Sequence, residues 1–218
     1  MTTSYFTTGV SALFEMATAD ADRILPNHLQ PIEVRPQRSI LNVTAFHFRD
    51  TPVGPHAELL LSVVVPPLTR QWTSFPKAGF FPFMSATTSG VSRRDREQRL
   101  RIPTWPHEID VQFVEWADRL TVKVMSDNAP VLDVTVTQHE WWSTTHLLHT
   151  FMMDGERRLK ADLQISGRYS MHEHERGHLT LHRHPITSAL TLEEVSPYPF
   201  REHWLKDGYE VFHPAEPI

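Results

Sequence analysis

The chain has 218 residues, 40% hydrophobic and 22% charged, which suits one sizeable soluble domain spanning 1–218. A formal net charge of −5 provides no global field for nucleic acid or an anionic membrane. With no cysteine, disulfides, thiolate nucleophiles and cysteine zinc sites are excluded.

The N-terminus lacks the basic start and apolar core of a signal peptide. Thr18 is expected to cap a short helix through ADADRIL, which Pro26 would end. SILNVTAFHF (39–48) alternates, with Ile40, Asn42, Thr44, Phe46 and Phe48 on one face and Leu41, Val43, Ala45 and His47 on the other. AELLLSVVV (57–65) is apolar on both faces, as a strand buried on both sides would be. Its run LLLSVVV is too short to cross a bilayer, so a cytoplasmic protein with no membrane role is expected. SRRDREQRLR (92–101) is basic, interrupted by Asp95 and Glu97, and reads as a solvated loop.

A run of strands follows: DVQFVEW (110–116), LTVKVMS (120–126) and VLDVTVT (131–137), joined by turn-like Ala117-Asp118-Arg119 and Asp127-Asn128-Ala129-Pro130. HLLHTFMM (146–153), LKADLQI (159–165), RYSMHEH (168–174) and HLTLHRH (178–184) continue the meander, with Asp154-Gly155 and Arg176-Gly177 as hairpin signals. PITSALTLEEV (185–195) reads as a second helix with Pro185 in its first turn. The whole is mainly β, an antiparallel-rich barrel or sandwich with a few short helices. A closed barrel of moderate size can hold one small ligand.

Glu58 enters the buried strand and would have a raised pKa there, suiting a general acid or base. The stretch LRIPTWPHEIDVQF (100–113) carries Trp105, His107 and Glu108. Imidazole transfers protons near neutral pH without tuning, so Glu58 and His107 across a pocket would form an acid–base pair. Arg70, Arg93, Arg94 and Arg101 are candidate carboxylate clamps. Trp141 and Trp142 suit core or subunit contacts. HEHERGHLTLHRH holds five histidines. As a hairpin it would set His172 and His174 near His182, a weak metal candidate against the plainer reading of a histidine-rich outer face. No cofactor is expected.

Four stretches, in order, resemble the acetoacetate decarboxylase superfamily: ADADRILPNHLQPIEV, GPHAELLLSVVV, TWPHEIDVQF and GHLTLHRHPITSAL. The resemblance covers most of the chain and implies an acetoacetate decarboxylase-like β-barrel or sandwich with a ligand pocket. It implies Glu58 as an active-site residue, His107 at the position of the family's catalytic lysine and Glu108 at that of its neighbouring lysine. The family's carboxylate-holding arginine would fall near Thr7, and a second family glutamate near Asn42 or Val43. Imidazole cannot form a Schiff base. The expectation is therefore acid–base chemistry (isomerisation, dehydration or cyclisation) on a small or polyketide-like carbonyl or keto-acid substrate, with Glu58 and His107 catalytic and Trp105, Arg101 and Glu108 binding substrate. Four lysines exist. Lys77 lies in SFPKAG, which looks like the family motif locally but too early in the chain. Lys123 could serve a relocated Schiff-base lyase or decarboxylase if its strand face points inward. A non-catalytic small-molecule-binding protein is the other alternative. Family relatives are often oligomeric, so a homo-oligomer is expected.

Overall fold

The computed structural model describes residues 1–67 and 78–218. Arg70 and Lys77 lie outside the described residues. Seven strands close into a barrel: β1 (Thr2–Ala17), β3 (Arg38–Asp50), β4 (His56–Val65), β5 (Ala78–Thr87), β9 (Trp141–Asp154), β10 (Arg157–His172) and β12 (Arg201–Phe212). Their order is β1-β12-β10-β9-β5-β4-β3, and pairing of β1 with β3 closes the ring. Neighbours are antiparallel except β5 and β9. Short β2 (Glu33–Arg35) and β13 (Glu216–Pro217) pair with β3 and β10. A second sheet, in the order β11-β8-β7-β6, is built from β6 (Asp110–Glu115), β7 (Arg119–Ser126), β8 (Ala129–Thr137) and β11 (His178–Leu181).

The period-two alternation of β3 and β4 sorts residues between two environments. Leu41, Val43 and Ala45 on β3, and Leu59, Leu61 and Val63 on β4, point out of the barrel and are buried. They form one core with Leu120, Val122 and Val124 of β7 and Leu132, Val134 and Val136 of β8. Each fully buried aliphatic side chain contributes about 1.5–3 kcal/mol. The other face of the same strands lines the barrel interior.

Glu202 ties the sheet to the barrel. Its buried carboxylate accepts from the backbone N–H groups of Thr137 (2.6 Å), Arg176 (3.2 Å) and Gly177 (2.9 Å). A Cβ on Gly177 would lie 2.5 Å from the Thr135 carbonyl oxygen, so the close approach requires glycine.

Several expectations are corrected. The helix α1 (Thr18–Ile24) starts one residue earlier than a Thr18 cap would allow. Ala17 is the cap residue, and the Thr18 hydroxyl pairs with Ser39 Oγ at 2.8 Å. The basic stretch is not a solvated loop but helix α2 (Gly90–Arg99), whose Ser89 Oγ accepts from the Ser92 N–H. Residues 185–195 form two 3₁₀ turns, Pro185–Thr187 and Leu192–Glu194, rather than one helix. There the Thr187 hydroxyl donates to the His182 and His184 carbonyls and the His184 ring accepts from the Ile186 N–H, local bonds that compete with a continuous helix. The Arg176-Gly177 turn does not make a hairpin, because β10 stays in the barrel while β11 pairs with β8. Among the described residues, no helix is long and apolar enough to cross a membrane.

Candidate functional site

The barrel encloses a cavity of about 410 Å³. Its walls are mainly apolar, with Phe46, Phe48, Leu60, Phe80, Ile165 and Leu205 prominent. Such a volume and lining suit a small organic ligand fixed by a few polar groups.

The principal polar group is a buried charge cluster of Glu58, Arg96 and Glu210, all lining the cavity. Glu58 is on β4 and is supplied by the inward alternation of that strand. Glu210 faces in from β12, and α2 delivers Arg96. Arg96 Nη2 donates to Glu58 Oε2 at 2.5 Å and approaches Glu210 Oε1 at 3.4 Å. The Ser85 hydroxyl donates to the other Glu58 oxygen at 3.1 Å. Burial opposes the guanidinium charge, but the two carboxylates outweigh it and raise the Arg96 pKa. Burial pushes the Glu210 pKa up and the Glu58 charge adds to this, while Arg96 opposes it. Two carboxylates share one cation, and burial tips Glu210 toward its protonated form.

Elsewhere in the cavity are the rings of His146, Tyr169 and His203. Tyr169 lies 4.5 Å from the His146 ring and 6.2 Å from that of His203. Its hydroxyl donates to the Ile165 carbonyl, and burial raises its pKa. Ser11, Asn42 and Thr44 form a hydrogen-bonded group on β1 and β3. At that end of β12, Arg201 pairs with Glu173, and both side chains are substantially exposed. This is the mouth.

Among the described residues, Glu58 is the one expected catalytic or substrate-binding residue that lines the cavity, and Asn42, near which a second family glutamate was expected to fall, lines it as well. The 102–109 segment runs along β5 through Trp105 N–H to the Ser85 carbonyl and Ile109 N–H to the Thr87 carbonyl. Trp105 points to the second sheet, donating through Nε1 to Ser126 Oγ at 3.0 Å, and His107 is exposed against its ring edge. Glu108 Oε1 accepts from Gly90 N–H, fastening the start of α2. Arg101 is exposed, 3.5 Å from Asp154. Lys123 is exposed on β7, because Val122 and Val124 take the face toward the barrel. Thus the expected pairing of Glu58 with His107 is not formed. Among the described residues, no lysine lines the cavity. Between the candidate clamps Arg93, Arg94 and Arg101 stands Arg96, and its guanidinium is the buried one. The one available signal was the spacing of Arg96 and Leu100 on a helical face.

The histidine-rich segment is likewise divided. His172 Nε2 lies 2.8 Å from Thr137 Oγ1, and burial lowers its pKa. His174 stacks on it at 5.2 Å. His182 follows β11 in the other sheet. Among the described residues, no group of three His, Asp or Glu side chains could hold a metal ion.

No family model and no curated protein sequence matches the chain. Solved structures do. Acetoacetate decarboxylase from Legionella pneumophila aligns over 100% of this chain and 87% of its own, at 11% identity and a TM-score of 0.67. The enduracididine biosynthesis enzyme MppR complexed with pyruvate aligns over 100% and 90%, at 14% identity and 0.66. An acetoacetate decarboxylase-like enzyme from Sphingomonas wittichii RW1 aligns over 100% and 92%, at 12% identity and 0.61. With the closed barrel, the flanking sheet and full-length alignment agreeing, the chain has the fold of the acetoacetate decarboxylase-like superfamily.

Proposed function

We propose that the protein is an enzyme that binds a mainly apolar carbonyl compound in the barrel and acts on it by acid–base proton transfer. Isomerisation, dehydration and cyclisation belong to this class. The observation that carries the reading is the Glu58–Arg96–Glu210 cluster, buried at the edge of a mainly apolar cavity. Where burial pushes two carboxylates apart in pKa, such a pair can divide acid and base roles. Glu58 takes the proton beside the carbonyl and Glu210 gives one to the carbonyl oxygen. The enol then collapses as its hydroxyl proton returns to Glu210 and Glu58 delivers its proton to carbon, to the same carbon in exchange or to the far carbon of a dienol when an unsaturated ketone is isomerised. Arg96 keeps the two carboxylates from repelling each other out of position. The MppR enzyme of similar fold was solved with pyruvate, a keto acid, which is consistent with a carbonyl ligand.

The test is solvent-deuterium incorporation into a panel of ketones and β-diketones, followed by NMR. Wild-type protein is expected to accelerate exchange beside the carbonyl, and Glu58→Gln and Glu210→Gln to lose about 10²- to 10⁴-fold. Saturable binding with no exchange of any compound would make the protein a binding module instead. Borohydride trapping with peptide mapping checks for imine chemistry, and an adduct at Lys77 or Lys123 would replace the acid–base account.

A further inference from the structure

Resting on that reading of the cavity, we infer that the substrate is an elongated, uncharged compound whose second polar group is bound by Ser62, far from the reacting carbonyl. Ser62 lies on β4, fully buried, and lines the same cavity as Glu58. Its hydroxyl has no hydrogen-bond partner among the described residues. A buried hydroxyl without a partner costs about 1–3 kcal/mol. A ligand oxygen in the cavity would remove that cost.

The spacing is set by the strand. Glu58, Leu60 and Ser62 share the inward face, and four residues of strand separate the two polar positions by roughly 13 Å. Between them the wall is Leu60 on β4 with Thr44 opposite it on β3. The Thr44 hydroxyl is already engaged by Asn42 and Ser11, so no free polar group of this pair meets the middle of the ligand, which is hydrocarbon. The far pole is neutral. Ser62 is opposite Asn42 across the β3–β4 pair, and Asn42 is bonded to Ser11 and Thr44. Among the described residues that line the cavity, the charged side chains outside the Glu58 cluster are Arg201 and Glu173, which pair with each other. A hydroxyl or a second carbonyl fits this pole better than a carboxylate, which would add a charge with no unpaired cation among the described residues to receive it. Ser62 is thus a specificity-determining residue that reads chain length.

The probes are straight-chain ketones of graded length, each with its terminal alcohol and terminal carboxylic acid, with binding measured by calorimetry. At one matched length the alcohol is expected to bind about threefold to tenfold tighter than the plain ketone, and the acid no tighter than the ketone. Ser62→Ala should bring the alcohol-to-ketone ratio to about one without weakening the plain ketone, and Ser62→Thr should retain part of the preference. Equal binding of ketone and alcohol at every length, or a preference that survives Ser62→Ala, overturns the inference and leaves the carbonyl site standing. If no probe binds at all, the carbonyl site itself fails, and this inference with it.

Discussion

At the scale of single residues, Arg96 decides the character of the cavity. It sits between carboxylates that are 38 and 114 positions away in the chain. Removing it leaves two buried carboxylates facing each other, so Arg96→Met should lower stability by about 3–5 kcal/mol at neutral pH, read from chemical denaturation. The same loss should shrink in acid, where a carboxylate gains a proton. His107→Ala and Lys123→Ala test the opposite point. Both side chains are exposed and outside the cavity, so each variant should keep ketone exchange within about twofold and stability within about 0.5 kcal/mol. A hundredfold loss in either would move the chemistry out of the barrel. The sequence made Glu58 legible, because a carboxylate followed by an apolar run can only be buried or at a rim. Glu210 and Arg96 were not legible. Arg96 sits in a polar run and Glu210 between Tyr209 and Val211, and the burial of both is created by elements remote in sequence.

At the scale of elements, α2 holds the cation in place. Its start is held by Ser89 Oγ on the Ser92 N–H and by Glu108 on the Gly90 N–H. Ser89→Ala should cost about 1 kcal/mol, seen as a lowered denaturation midpoint. The sequence pattern disclosed strands β3, β4, β7 and β8 well, since each alternates or is apolar throughout. It did not disclose β1, β5 or β12. Their inward positions carry Ser11, Pro82 and Glu210, because they line a polar-tipped cavity rather than a dry core. The same cause hid α2. A run with four arginines reads as solvated unless the buried partners of one of them are known. The histidine-rich segment reads locally as a hairpin, but β11 gains a partner in β8 that local turn chemistry cannot reveal.

At the scale of the whole molecule, the second sheet covers the outside of the barrel, and Glu202 joins the two. Glu202→Ala would leave the backbone N–H groups of Thr137, Arg176 and the buried Gly177 without their acceptor and should cost about 1–3 kcal/mol, measured by denaturation. The pH response has two limbs. His56, His149 and His172 have pKa values lowered from 6.5, chiefly by burial. Protonation therefore favours the unfolded chain, and their share of stability is present above that value and lost as pH falls below it. Glu210 acts in the other sense. Its folded pKa is raised from 4.5, so its contribution is full below that value and declines as pH rises through the folded pKa. Relative to wild type, Glu210→Gln should gain stability as pH rises across this window.

The central claim is that the barrel stores a transferable proton on Glu210, and it is tested most directly by infrared titration of the carboxylic acid band that Glu210→Gln removes. The account predicts that this band persists above the ordinary carboxylate value of 4.5. A band that vanishes at or below that value would show Glu210 to be ionised at working pH and would contradict the acid–base assignment.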